Sequence, residues 1–232
     1  MPTFNAATTS ENAVLRAGRA HRVAGLYVIV DPEGTRGRDP AEITAAALRG
    51  GASAIQYRDK LSDKGDQLPV ARRLRDLCQA HDAALIINDH ADLAVASDAH
   101  GLHLGQHDLP AAEARKLLHP WQFIGTSNAL LMEAEAAIAQ GVDYIAVGAM
   151  YHTGSKPNTR SAGIETLSQT RKRITGIPIV AIGGITLDNV DAVLRAGADG
   201  ICVIGAVCQA DDPEQAARLL VQRITAARTD RH

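Results

Sequence analysis

The stretch NVDAVLRAGADGICVIGAV, residues 189–207, contains one full round of the pattern that decides the fold. Val190, Val193 and Leu194 follow helical spacing, Gly197 interrupts, and ICVI follows as a short β-branched run that ends at Gly205. A glycine after a helix adopts the left-handed conformation that stops it and turns the chain back. The same device recurs at Gly51-Ala52-Ser53 and Gly141-Val142-Asp143, each leading straight into an apolar strand.

Working outward, strand-like runs occur at 26–31 (LYVIVD), 53–57 (SAIQY), 84–88 (ALIIN), 101–105 (GLHLG), 122–127 (QFIGTS), 143–148 (DYIAVG), 177–182 (IPIVAI) and 199–204 (DGICVI). Helix-like segments separate them, among them PAEITAAALRGG, PVARRLRDLCQAHDA, PAAEARKLLH, MEAEAAIAQG and PEQAARLLVQRITAAR. Alternating units of this number without a linker predict a single (β/α)8 TIM barrel over 23–232, an open doubly wound sheet being the alternative. Residues 1–22 are polar and Ala-rich and read as an N-terminal extension, either mobile or a short accessory helix.

The 232 residues are 46% hydrophobic, enough for a large core, and 24 basic against 26 acidic side chains leave no field for nucleic acid or an anionic membrane. Cys78, Cys202 and Cys208 show no metal or disulfide spacing and read as reduced thiols. No signal-peptide run occurs, nor the roughly 18 apolar residues of a membrane span. The expectation is a cytoplasmic protein whose partners are small molecules. The sequence leaves homo-oligomerisation open.

Barrels of this type build their sites on the loops that follow the strands. Gln56, Arg58 and Lys60 in AIQYRDK stand two residues apart, so strand alternation puts one amide and two cations on one face. Such a comb calls for an anion, and Lys156 in YHTGSKPNT joins it on the same rim. Glycines after the seventh and eighth strands, in VAIGGI and VIGAV, offer backbone N–H groups to a monophosphate or else make tight turns. Two anion sites imply two substrates. Asp89 and Asp108, each just past a strand end, suit Mg2+ beside a diphosphate, and both are equally suited to capping a helix. His90, His100, His103 and His107 lack zinc-site spacing and read as surface or supporting residues. Trp121 and Tyr151 are too isolated to stack nucleic-acid bases.

In order, QYRDK, NDHADLA, GLHLGQHD, GTS, VGAMYHTGSK, IPIVAIGGI and GADGICVIGAV resemble the thiamine-phosphate synthase family, from about Gly25 to Ile224. The resemblance implies a transferase that joins hydroxymethylpyrimidine diphosphate to thiazole phosphate, plain or carboxylated, releasing pyrophosphate with Mg2+. It implies that Gln56, Tyr57, Arg58, Asp59, Lys60, Asn88, Ser127 and Lys156 hold the pyrimidine diphosphate, with Arg58, Lys60 and Lys156 assisting its departure. Asp89 and Asp108 match the metal ligands. Thr153, Gly154, Ser155, Gly184, Ile204 and Gly205 match the thiazole phosphate site. The implied reaction is dissociative, with diphosphate leaving before the thiazole nitrogen attacks. The chain departs from the family pattern at Ala129-Leu130, where His-Thr is usual, and at Gly205, where Ser is usual. His100, His152 and Ser155 replace the usual Asp, Pro and Thr. A Schiff-base aldolase using Lys156, a related thiazole tautomerase and a non-catalytic sensor of thiamine precursors are the rival readings.

Overall fold

The computed structural model describes residues 9–152 and 160–229. Eight parallel strands close in sequence order into a barrel, β1 Leu26–Val30, β2 Ala54–Tyr57, β3 Ala84–Asn88, β4 Gly101–Leu104, β5 Phe123–Asn128, β6 Tyr144–Gly148, β7 Ile179–Ile182 and β8 Gly200–Val203. Each lies within two residues of its expected bounds, because β-branched runs between glycines and acids read the same locally and in the fold. The outer layer comprises α2 Pro40–Arg49, α3 Lys64–Ala80, α4 Ala91–Ala96, α5 Ala111–Leu117, α6 Leu131–Ala139, α7 Gly163–Arg173, α8 Val190–Arg195, α9 Gly205–Cys208 and α10 Pro213–Thr229. None of the described helices is long and apolar enough to cross a membrane.

Two cores follow from strand alternation. Residues such as Val28, Ile55, Leu85, Leu102 and Ile145 face the helices, whereas Tyr27, Ile29, Ile86, Phe123, Tyr144 and Val180 fill the barrel. Gly125 makes the interior packing possible, since a Cβ there would lie 2.0 Å from the ring of Tyr144. Gly51, Gly141 and Gly197 have φ of 97°, 77° and 108°, the left-handed turns expected at those junctions.

The opposite end of the barrel, where the strands begin, is tied by side chains. Helix α1, Thr9–Ala20, lies there, and Ala20 and Val23 plug the inner core. Arg16 Nε donates to Asp143 Oδ1 at 2.8 Å, while Asp143 Oδ2 accepts the N–H of Ile124 at 2.8 Å. Asp199 repeats this with Ile179 N and Arg171, both at 2.8 Å. Acids that open strands β6 and β8 therefore serve as clamps.

His100 accepts the N–H of Leu85 through Nδ1 at 3.0 Å, so it is held neutral. Burial pushes its pKa down to about 4, and Arg19, Arg22 and Arg75 push the same way. The unfolded chain, with an ordinary histidine near 6.5, binds this proton first, so stability falls as pH drops from about 6.5 to about 4. Chemical denaturation should show up to about 3 kcal/mol lost over that window. The stability advantage over His100→Asn, which keeps an acceptor for Leu85, should shrink with acid; a pH-independent difference would contradict this assignment.

Candidate active site

The strand C-termini gather the charged residues at one rim. Strand β2 stops at Tyr57, so Gln56 points into the barrel, 1% exposed, while Arg58 and Lys60 leave along the loop in different directions. Arg58 Nη1 bonds Asp31 Oδ2 just past β1, and Lys60 Nζ bonds Asp89 Oδ2 just past β3. The expected three-tooth comb therefore opens into two ion pairs, because strand alternation does not extend as far as Lys60. The protein supplies carboxylates to both cations. The Arg58 and Asp31 side chains are 14% and 5% exposed, against 44% for Lys60, which makes the first pair rigid and the second open to exchange.

Asp89 has a left-handed backbone, φ 61°, that swings its carboxyl over the rim. This carboxyl hydrogen-bonds that of Asp108, whose Oδ2 also accepts the N–H of Gly105 at 2.7 Å. Neither aspartate caps a helix; the residues at those starts are His90 and Pro110. Burial raises the pKa of Asp108, as does the bond to Asp89. Burial works the same way on Asp89, but the hydrogen bonds from Lys60 and Asp108 outweigh it and hold it low. The two carboxyls therefore titrate as a coupled pair. A hard cation between them would find oxygen donors suited to Mg2+, so the donor set fits that ion. Among the described residues no three acids, histidines or cysteines assemble into a fuller cage. Waters and ligand phosphates would have to complete the shell.

Across the rim, Gly184 has φ 65°, and a Cβ there would lie 2.7 Å from the carbonyl oxygen of His152. The backbone after β7 is thus held close to the β6 loop, with Asn189 Nδ2 donating to Gly184 O at 2.9 Å. Gly205 starts α9, and a Cβ added to it would meet the Gln209 amide at 3.3 Å. Thr153, Gly154, Ser155 and Lys156 lie outside the described residues. Their flanks are anchored: Ala149 N donates to Arg160 O at 3.0 Å, and Arg160 pairs with Glu133 at 2.6 Å.

The profile of the thiamine monophosphate synthase family matches residues 26–207. The chain belongs to the thiamine-phosphate synthase family. A thiamine-phosphate synthase of Moorella thermoacetica is 44% identical over 204 residues, 88% of this chain and 97% of that one. Another, of Thermosynechococcus vestitus, is 40% identical over 202 residues, and the match covers 87% of this chain but 56% of that protein. The solved thiamine phosphate pyrophosphorylase of Pyrococcus furiosus superposes with TM-score 0.82 at 35% identity, covering 89% of this chain and 98% of that one.

Against the thiamine-phosphate synthase pattern, the structure brings Gln56, Arg58, Lys60, Asn88, Asp89, Asp108 and Ser127 to the rim end of β2 to β5, and Gly184, Ile204 and Gly205 to that of β7 and β8. The side chains of Tyr57 and Asp59 stand apart. Tyr57 faces the helix layer and donates to Asp59 at 3.1 Å, and Asp59 accepts the N–H groups of Leu61 and Ser62 at 2.8 and 3.0 Å. They shape the Lys60 loop rather than offer side chains to a ligand. Where His-Thr is usual in the family, Ala129 and Leu130 give their N–H groups to Glu133, at 2.8 and 3.2 Å.

Residues missed from sequence are Asp31, Tyr27 and Tyr144. His103 is 5% exposed, with Nδ1 2.7 Å from Tyr144 Oη and Nε2 2.8 Å from Ser127 Oγ. Of the two readings, surface or supporting residue, the structure bears out the supporting one. Its place in GLHLG, apolar on either side, is the signal that marks an inward-facing strand position.

Proposed function

We propose that this chain is a thiamine-phosphate synthase that transfers the pyrimidine methyl group of hydroxymethylpyrimidine diphosphate to the nitrogen of a thiazole phosphate. The observation that carries this reading is the placement of Arg58, Lys60 and the paired Asp89 and Asp108 at one side of a rim whose far side is the Gly184 and Gly205 backbone. One side suits a leaving diphosphate and the other a retained monophosphate.

Arg58 and Lys60 hold the diphosphate oxygens and stabilise the charge that grows as the carbon–oxygen bond breaks. Asp89 and Asp108 would hold Mg2+, which would supply further neutralisation of that diphosphate. Gln56, buried at the barrel mouth, orients the pyrimidine ring, and Ser127 and Lys156 complete its site. The thiazole phosphate rests on backbone N–H groups at Gly184 and at Ile204–Gly205, and the family resemblance adds Thr153 and Ser155 as contacts to it. Its nitrogen then supplies the electron pair for the new carbon–nitrogen bond, and pyrophosphate takes the pair from the broken one. No general base is required. Alignment of the two substrates provides the remainder of the acceleration.

The binding half is tested by thermal shift. Mg2+ with pyrimidine diphosphate should raise the unfolding midpoint more than either alone, and Asp89→Asn should remove that synergy. Equal shifts from the diphosphate with and without metal would count against the reading. At the other end, Gly205→Ser adds a hydroxyl at the phosphate site, and the Gln209 amide, 3.3 Å from the new Cβ, swings aside. The expected result is a KM for thiazole phosphate about tenfold lower with little change in kcat. An unchanged KM would mean that the hydroxyl does not reach the phosphate.

A further inference from the structure

A line of buried hydrogen bonds crosses the barrel and has no counterpart in the roles assigned above. The amide nitrogen of Gln56 donates to Tyr27 Oη. Tyr27 Oη lies 3.1 Å from Tyr144 Oη, which lies 2.7 Å from His103 Nδ1, and His103 Nε2 lies 2.8 Å from Ser127 Oγ. The line joins five strands and ends at two residues assigned to the pyrimidine diphosphate.

Counting protons gives it a direction. A phenol has one proton to donate. Tyr27 accepts from Gln56, so its proton serves Tyr144, and the Tyr144 proton then serves His103 Nδ1. A neutral imidazole that accepts at Nδ1 carries its proton on Nε2 and donates to Ser127 Oγ. Ser127 is left with its own O–H to direct outward. At the opposite end Gln56 Oε1 is buried with no hydrogen-bond partner, which is costly unless a ligand donor arrives. Burial raises both phenols far above the ordinary tyrosine value, so both keep their protons.

We propose that Tyr27, Tyr144 and His103 are positioning residues that set the polarity of the pyrimidine diphosphate site, fixing an acceptor at Gln56 and a donor at Ser127. The inference rests on the assignment of Gln56 and Ser127 to that substrate. An aminopyrimidine carries an N–H for the first, and a diphosphate carries oxygens for the second. Rotating the Gln56 amide by half a turn would reverse every member of the line and leave a donor facing the amine and an acceptor facing the anion. The relay excludes that mismatch as a unit, which no single contact does.

The test reads the relay directly. Nitrogen-15 NMR of histidine side chains in the ligand-free protein, with the His103 signal identified by its loss in His103→Gln, should show Nε2 protonated and Nδ1 not. A proton on Nδ1, or on both nitrogens, overturns the proposal. Tyr144→Phe, which keeps the ring and its packing, should raise the KM for pyrimidine diphosphate about tenfold while kcat changes by less than about threefold. It should also release His103 from a single tautomer. His103→Gln, whose amide accepts from Tyr144 and donates to Ser127, should keep most of the affinity that His103→Leu loses. An unchanged KM in folded Tyr144→Phe overturns the proposal as well. The two levels separate: failure of the synthase reading appears as no thiamine phosphate from the wild-type chain, failure of the relay as the wrong tautomer in an active enzyme.

Discussion

Arg58→Ala is expected to reduce kcat/KM by about a thousandfold, the scale of losing one preorganised charge from a site where negative charge develops. The same substitution touches stability, because it strands Asp31, whose side chain is 5% exposed and, among the described residues, bonds Arg58 and the N–H of Glu33 alone. A buried carboxylate without its partner costs roughly 3 kcal/mol. For a chain of this size, a fall in the thermal midpoint of about 6–12 °C follows. The fold survives. Adding Asp31→Asn to Arg58→Ala should recover most of the stability and none of the turnover. Scanning calorimetry with steady-state kinetics on the single and double variants measures both. Recovery of turnover in the double variant would show that Arg58 acts only through Asp31.

Asp89→Asn should reduce turnover by about a hundredfold or more and flatten its dependence on Mg2+. Asparagine is the informative replacement because it tolerates the left-handed backbone at φ 61°, whereas alanine adds about 1 kcal/mol of strain unrelated to the metal. Asp108→Asn should behave alike. Because the two carboxyls contact one another and would serve one cation, the double variant should lose little beyond either single one. A Mg2+ titration of initial rates decides the matter. An Asp89→Asn enzyme with wild-type Mg2+ dependence would remove this aspartate from the metal site, leaving it as the partner of Lys60 and Asp108.

The strands and their order were legible because the barrel asks of each strand what the sequence shows locally, an apolar run closed by glycine, aspartate or asparagine. The start of α3 was not. Its pattern was read from Pro69, since proline commonly opens a helix, yet the helix begins at Lys64 and carries Pro69 inside. The site was legible as a set of residues and illegible as a set of partners. Gln56, Arg58 and Lys60 sit in five consecutive positions, but the acids that neutralise the cations come from neighbouring strands 27 and 29 residues away. Nothing local in AIQYRDK announces them. His103 was legible only as a surface or supporting residue, because its meaning depends on Tyr144 and Ser127, on two other strands. The backbone site was legible through its glycines, since Gly184 adopts a conformation that other residues avoid.

The central claim is tested most directly by incubating the purified chain with Mg2+, hydroxymethylpyrimidine diphosphate and thiazole phosphate, following pyrophosphate and thiamine phosphate in the same samples. The two should appear in equal amounts, only when both substrates are present, and cease with EDTA. Pyrophosphate without thiamine phosphate, or neither product while both ligands still raise the thermal midpoint, would contradict the synthase reading and leave a hydrolase or a sensor in its place.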